Sequence, residues 1–232
     1  MNAWFSFNGR KSSEFGIRVL RQPALIRPLE RVARTVVPGR PGTLVTTQGE
    51  DVYDDILLEM ECYLPDTSRI SEINAWLKGG GDLELSGRPG GHYRARVNNQ
   101  ISFEKMLRVN PHVSFGVIFR CFPFWYKDNV PDITVTASGT MVTNSGTVYA
   151  EPILTVHGTG NISLMVGTTL VELENIQGNI TLDCELKEAY SGGTLMNSRM
   201  TGDFPRLQPG ANAVSWSGAV TKVVIQPRWR EL

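Results

Sequence analysis

Hydrophobic and polar residues alternate with a period of two along most of this chain, the pattern of strands with one buried face. Trp4-Phe5-Ser6-Phe7, an Asn8-Gly9 pair and a further apolar run through Val19 read as a hairpin from Trp4 to Arg21, because Asn and Gly both accept the positive φ of a tight turn. Ile56 to Tyr63 predicts a strand with one strongly apolar face and an acidic rim of Glu59 and Glu61. Asp82–Ser86, His92–Asn98, Ile101–Val109 and Val113–Phe122 alternate in the same way. One stretch breaks the period. Asp66-Thr67-Ser68 supplies N-cap oxygens, Ile70, Ile73, Trp76 and Leu77 recur at helical spacing, and Gly79-Gly80-Gly81 closes the segment, so a single helix is expected over 66–78 with its apolar stripe in the core.

From Ile133 onward the texture turns to Thr, Ser, Gly, Asn and Val. Short strands are expected at Pro152–His157, Ile162–Val166, Leu170–Leu173, Ile180–Leu186, Ala213–Trp216 and Val220–Pro227, with Gly158-Thr159-Gly160-Asn161 and Gln177-Gly178-Asn179 as hairpin turns. That spacing favours a β-sandwich or barrel. The proline-bounded Pro123–Pro131 reads as the boundary between two domains, residues 1–126 and 127–232.

Two features fall outside regular patterning. Gly39-Arg40-Pro41-Gly42 and Gly87-Arg88-Pro89-Gly90 repeat one tetrapeptide and read as tight turns, with no following helix or lysine to make a phosphate loop. The stretch Gln22–Thr35 contains Pro23 and Pro28, which bars it from the middle of a sheet and leaves a long arm or edge ribbon. It is also the most basic part of the chain. Arg27, Arg31, Arg34 and the nearby Arg40 lie either at contacts with a neighbouring subunit or on a solvated loop.

Charge and chemistry narrow the function classes. Lys plus Arg equals Asp plus Glu at 23 each, which argues against a dedicated nucleic-acid binder and suits a subunit made to associate. No signal-peptide pattern or membrane-length apolar run is present, so no membrane association is expected. Cys62, Cys121 and Cys184 each sit in a strand-like run as small hydrophobes, without a disulfide framework. His92, His112 and His157 are scattered, the adjacent Asp54-Asp55 would point to opposite faces of a strand, Glu172/Glu174 read as a solvated rim, and no Gly-x-Ser-x-Gly elbow occurs, so neither catalysis, a metal nor a cofactor is expected. Tyr149, Tyr190, Trp216 and Trp229 could form an aromatic sugar platform, but core packing accounts for them better.

Several segments, in order, resemble the distal tail protein of long-tailed phages and prophages that infect Gram-positive bacteria. They are Phe5-Ser6-Phe7-Asn8-Gly9, Glu14–Ile17, Pro38–Gly42, the helix ending at Trp76-Leu77, and Phe122-Pro123-Phe124-Trp125. In the second half they are Gly146–Pro152, the run Phe204-Pro205-x-Leu207-x-Pro209-Gly210-x-Asn212, and Pro227–Arg230. The resemblance implies a mainly β protein: an N-terminal tail-tube-like β-barrel or sandwich with one flanking helix, followed by a peripheral galectin-like β-sandwich. It further implies a non-enzymatic baseplate hub at the virion's tail tip, made and assembled in the host cytoplasm. Six copies would close a ring, single or paired, between the major tail tube protein and the tail-associated lysin, tail fibre or receptor-binding protein, with DNA passing through without specific binding. The galectin-type His-x-Asn-x-Arg strand is absent, since His157 is followed by Gly158-Thr159-Gly160, so no sugar binding is expected. The alternative is a saccharide-binding module that recognises the host.

Overall fold

A computed structural model of the protein describes residues 3–47, 49, 51–105 and 113–232. The chain divides into two units, Met1–Asp128 with Leu232, and Asn129–Glu231. Both are built mainly of antiparallel strands.

In the first unit the strands are β1 (Phe5–Phe7), β2 (Arg10–Lys11), β3 (Arg18–Arg21), β4 (Val32–Val36), β5 (Thr43–Thr47), β6 (Ile56–Leu64), β7 (Gly80–Leu85), β8 (Arg88–Val97), β9 (Glu104–Lys105) and β10 (Val113–Lys127). The main sheet has the order β2-β1-β7-β8-β10-β6-β3, while β4 and β5 pair only with each other. The sheet's inner face is set by strict alternation. Ile56, Leu58, Met60, Cys62 and Leu64 of β6 are buried, as are Val113, Phe115, Val117, Phe119 and Cys121 of β10 beside them.

The single α-helix among the described residues, α1 (Ile70–Trp76), covers that core. It is entered through one turn of 3₁₀ helix, Thr67–Arg69, capped by Asp66, whose carboxylate accepts the Ser68 N–H at 2.9 Å. Trp76 is the anchor. Its ring stacks on Phe15 at 4.2 Å and on Phe5 at 5.5 Å, and its indole N–H donates to the Phe7 carbonyl at 2.9 Å. Trp76→Ala is expected to destabilise this unit by about 3–5 kcal/mol. The check is amide exchange: β6 and β10 should lose protection in the variant while the second unit keeps its own.

Four expectations change here. Asn8 (φ 52) and Gly9 (φ 75) do form the tight turn, but the second strand of that hairpin is only Arg10–Lys11. Ser12–Phe15 is a 3₁₀ turn ended by Gly16, and β3 then pairs with β6 at the far end of the sheet. The turn expected over Gly87-Arg88-Pro89-Gly90 falls two residues earlier, over Leu85–Arg88 with Ser86-Gly87 at its centre, because Leu85 and Arg88 are already cross-strand partners. Gly80 and Gly81 belong to β7 rather than to the end of the helix. Pro123 does not end the strand expected over Val113–Phe122, which runs on to Lys127. It lies inside β10 at an irregularity between Cys121 and Trp125, one of the few places where a sheet tolerates a missing N–H. The strand expected over 101–109 is described only as β9; residues 106–112, including His112, lie outside the described residues.

The second unit contains β11 (Ile133–Val135), β12 (Thr140–Asn144), β13 (Ile153–Val166), β14 (Thr169–Asp183), β15 (Glu188–Ser191), β16 (Thr194–Leu195), β17 (Met200–Gly202), β18 (Gly210–Gln226) and β19 (Arg230–Glu231). Its plan rests on three long strands that each serve two layers. The first half of β13 pairs with Gly178–Asp183 of β14 and Val220–Gln226 of β18; its second half pairs with Thr169–Leu173 and Val214–Ser217. Shorter strands extend both layers: β11 and β15 one, β12 and β17 the other. Residues from both halves share one core, including Leu154, Leu164, Val171, Ile180, Val214 and Val223. The result is a β-sandwich whose corners are bends within strands.

Bulges make those bends. Gly160 and Ile162 of β13 face Ile176 and Leu173 of β14, so β14 carries one extra residue there. Its buried positions accordingly switch from odd numbers (Val171, Leu173) to even ones (Ile176, Ile180, Leu182). Asn175 sits in the bulge with φ 53. In β18 the corresponding bend holds Gly218 at φ 99, where a Cβ would meet the Asn161 carbonyl oxygen at 2.5 Å, so only glycine fits. The expected turns at 158–161 and 177–179 are therefore interior bends, and the true β13–β14 turn is Gly167-Thr168.

Candidate assembly surface

The segment after β3 leaves the main sheet. Residues 22–29 run extended without strand pairing, and β4 and β5 then form an isolated ribbon. Its base is fixed. Pro28 is buried, the Arg31 N–H donates to the Val52 carbonyl, the Asp54 N–H donates to the Leu29 carbonyl, both at 2.9 Å, and Arg31 Nε reaches Asp54 Oδ1 at 2.8 Å. Tyr53, bridged to Glu30, packs edge-on to Phe124 at 6.0 Å. Burial, followed by the charge of and hydrogen bond to Asp51, raises its phenol above the ordinary tyrosine range.

Beyond the base every residue of β5, and all of β4 except Val32, is exposed. Cross-strand pairing sorts the ribbon into two faces. One carries Val32, Arg34, Val36, Thr43, Val45 and Thr47; the other carries Ala33, Thr35, Leu44 and Thr46. Leu29 (76% exposed) and Val36 (74%) stand in solvent, and Leu20, Leu25, Ile26, Val45 and Leu57 are also largely exposed. An isolated two-stranded ribbon is marginal in water, and an apolar, unpaired edge is what a partner covers.

The four arginines singled out from the sequence separate along this feature. Arg27 lies in the extended segment, Arg31 at the base, Arg34 in mid-ribbon opposite Val45, and Arg40 in the loop at the tip, its N–H donating to the Val37 carbonyl at 3.2 Å. Arg31 pairs within its own unit with Asp54, through side chains that are both about half exposed. Among the described residues Arg27, Arg34 and Arg40 form no ion pair and are exposed. Asp54 and Asp55, weighed as a carboxylate pair, are drawn apart, since Asp55 faces Arg120 at 3.6 Å. Sequence gave no signal for either partnership, because the residues are distant along the chain.

The other chemical candidates resolve into structure. The three cysteines are free and buried, and burial pushes each thiol up to about 12. His92 Nδ1 lies 2.6 Å from Asp128 with its ring stacked on Tyr126, and His157 sits mid-strand between Asn179 and Lys222. Glu172 accepts a hydrogen bond from Ser163 at 2.6 Å. Tyr149 and Trp229 are buried, and Trp216 packs partly against the sandwich core. Among the described residues no group of His, Cys, Asp and Glu could hold a metal, and no helix is long and apolar enough to cross a membrane.

No protein-family profile matches the sequence, and no curated protein matches it. Solved structures do. SPP1 Dit, whose crystal structure is described as a paradigm of the hub adsorption apparatus in phages infecting Gram-positive bacteria, superposes with a TM-score of 0.79 at 14% identity, over 98% of this chain and 99% of that one. The chain has the Dit fold. The likeness runs through both units, so the mainly β reading of the sequence holds at the level of architecture.

Proposed function

We propose that this protein is a structural hub of a phage tail tip, a non-enzymatic part of the adsorption apparatus in the virion. The observation that carries the reading is the likeness to SPP1 Dit over nearly the full length of both chains. A likeness through both units supports this reading more specifically than a likeness to one sandwich would. The exposed β4–β5 ribbon supports the same reading, because an isolated, partly apolar ribbon is marginal in water and gains stability when another chain covers it.

In this reading six copies close a ring through the first unit. The second unit, galectin-like in its plan, lies at the periphery, and Arg27, Arg34 and Arg40 face neighbouring subunits or rings. The major tail tube protein docks on one side and a tail-associated lysin, fibre or receptor-binding protein on the other. DNA passes through the centre without sequence-specific contact, and assembly takes place in the host cytoplasm. Light scattering with negative-stain imaging tests the ring. Six chains of 25.7 kDa give about 154 kDa for a closed cyclic assembly, or about twice that for paired rings. A stable monomer even in the presence of tail tube protein sinks the reading.

A further inference from the structure

The second unit carries a cavity of about 870 Å³ that no part of the hub reading uses. It forms where the β13–β14 turn, the segment 202–208 and Lys187 meet. Its wall is held rigidly. Pro205 and Leu207 are buried, and Leu207 exchanges both backbone hydrogen bonds with Ala150 at 2.9 Å, so the residues that alternate with them, Phe204, Arg206 and Gln208, are presented to the cavity. Asn212, itself 3% exposed, clamps the end of the segment: its Oδ1 accepts the Gln208 N–H at 2.8 Å, and its Nδ2 donates to the Gln208 carbonyl at 2.7 Å.

The cations are positioned by several contacts. Glu151 Oε1 lies 3.3 Å from Lys187 Nζ and 3.5 Å from Arg206 Nε, while the Arg206 guanidinium rests 4.3 Å above the Tyr149 ring. Lys187 also donates to the Cys184 carbonyl and lies 5.8 Å from the centre of the Phe204 ring. These contacts leave the terminal nitrogens of Arg206 without a hydrogen-bond partner among the described residues. The side chains of Thr169, Asp203 and Gln208 are equally uncommitted.

The wall is therefore preorganised, but its hydrogen-bonding capacity is unspent. The mixture of groups decides the ligand class. An anion would meet Lys187 and Arg206, yet it would be opposed by Asp203 in the wall and by Glu151 immediately behind it. A cation would meet the reverse. A ligand that donates to Asp203, accepts from Arg206, does both with Gln208 and Thr169, and lays C–H groups on Phe204 is a ring of adjacent hydroxyls. We infer that this cavity is a binding site for neutral saccharide, built from Asp203, Phe204, Arg206 and Gln208. The sugar motif expected from sequence would lie on the strand holding His157, whereas these groups lie on the segment 202–208, and neither His157 nor Trp216 lines the cavity.

This inference does not depend on ring formation, so its failure and that of the hub reading are separable. The full chain is applied to an array of neutral hexose and N-acetylhexosamine oligosaccharides, and hits are titrated by calorimetry. Saturable binding is expected, weakened by about tenfold or more in Asp203→Ala, where a charged hydrogen-bond partner is lost, and likewise weakened in Gln208→Ala. Trp216→Ala should bind as the unaltered protein does. Circular dichroism verifies that each variant folds; the two cavity variants change exposed side chains that make no internal bond, so at least one retains its fold. No neutral glycan bound, or binding unchanged in both cavity variants, overturns the inference. Binding confined to polyglycerol phosphate and abolished by salt overturns it too, and would identify an anion site instead.

Discussion

Changing Val36 and Val45 together to glutamate should leave the protein folded and stop it assembling. Both residues lie on one face of the β4–β5 ribbon and belong to neither hydrophobic core. Exposed positions away from caps, cores and networks usually change stability by no more than about 0.5 kcal/mol. Glutamate at position 45 would even face Arg34 across the ribbon. At a subunit contact the arithmetic is different. Burying two valines contributes about 3–6 kcal/mol per interface, so their loss weakens each contact by roughly a hundred- to ten-thousand-fold before any charge is desolvated. A closed ring repeats that loss at every interface, and the variant should scatter light as a 25.7 kDa monomer. An assembly indistinguishable from that of the unaltered chain would remove the ribbon from the interface.

The arginines supply an internal contrast. Arg31→Ala breaks only an exposed pair with Asp54, both side chains being about half exposed, and should cost under about 1 kcal/mol with no effect on assembly. Arg34→Glu with Arg40→Glu reverses two charges that have no ion-pair partner within the described residues, so any effect on assembly reports on a neighbour. This separation was not available from sequence. Composition shows that 22–35 is a basic, proline-marked arm, but which arginine is satisfied internally depends on Asp54, 23 residues away across a bridge that no local pattern announces.

The same distinction between local and distant causes governs what was legible elsewhere. The Asn8-Gly9 turn, the Asp66 cap and the Ile73/Trp76 stripe were readable because the atoms that fix them are neighbours in the chain. In the second unit six strands were expected where three long ones occur. Gly160, Asn175, Gly178 and Gly218 all take positive φ, and that backbone requirement is common to turns and bulges. Only the pairing across the sheet tells them apart. Pro123 misled for a related reason, since a proline reads as a strand end unless a bulge excuses its missing N–H. The run Phe204 to Asn212 carries a resemblance whose cause is not legible in the sequence. The structure supplies one: Asn212 clamps the backbone of Gln208, and Leu207 pins the segment to Ala150.

Breaking a buried ion pair in the second unit should give a large loss of stability there. Asp183, whose side chain is 5% exposed, takes a bidentate contact from Arg228, at 2.8 Å to Oδ1 and 3.0 Å to Oδ2. Its Oδ1 also accepts the N–H groups of Glu185 and Leu186 at 3.1 Å, which closes the turn after β14. Asp183→Ala strands two donors and half-frees a guanidinium in a largely buried place, though Glu185 remains 3.4 Å from Arg228 and limits the damage. The expected cost is about 3 kcal/mol, at the low end for breaking a buried pair. Asp183→Asn keeps the acceptor for the turn and loses only the charge, so it should cost less. The pH dependence follows from the direction of the shift. Burial pushes the Asp183 carboxyl up, but the Arg228 hydrogen bonds, the two N–H donors and the Arg228 charge together outweigh it and hold the group below its ordinary value of 3.8. The unfolded chain therefore takes up this proton first as pH falls. The stabilisation is fully present above about pH 4 and drains away as pH drops through the lower folded value. Amide exchange of β13, β14 and β18 at pH 7 and at successively lower pH values provides the check. The gap in protection between the unaltered protein and Asp183→Asn should shrink below pH 4, and a gap that stays constant down to acid unfolding would show that the carboxylate's charge is not what holds this corner together.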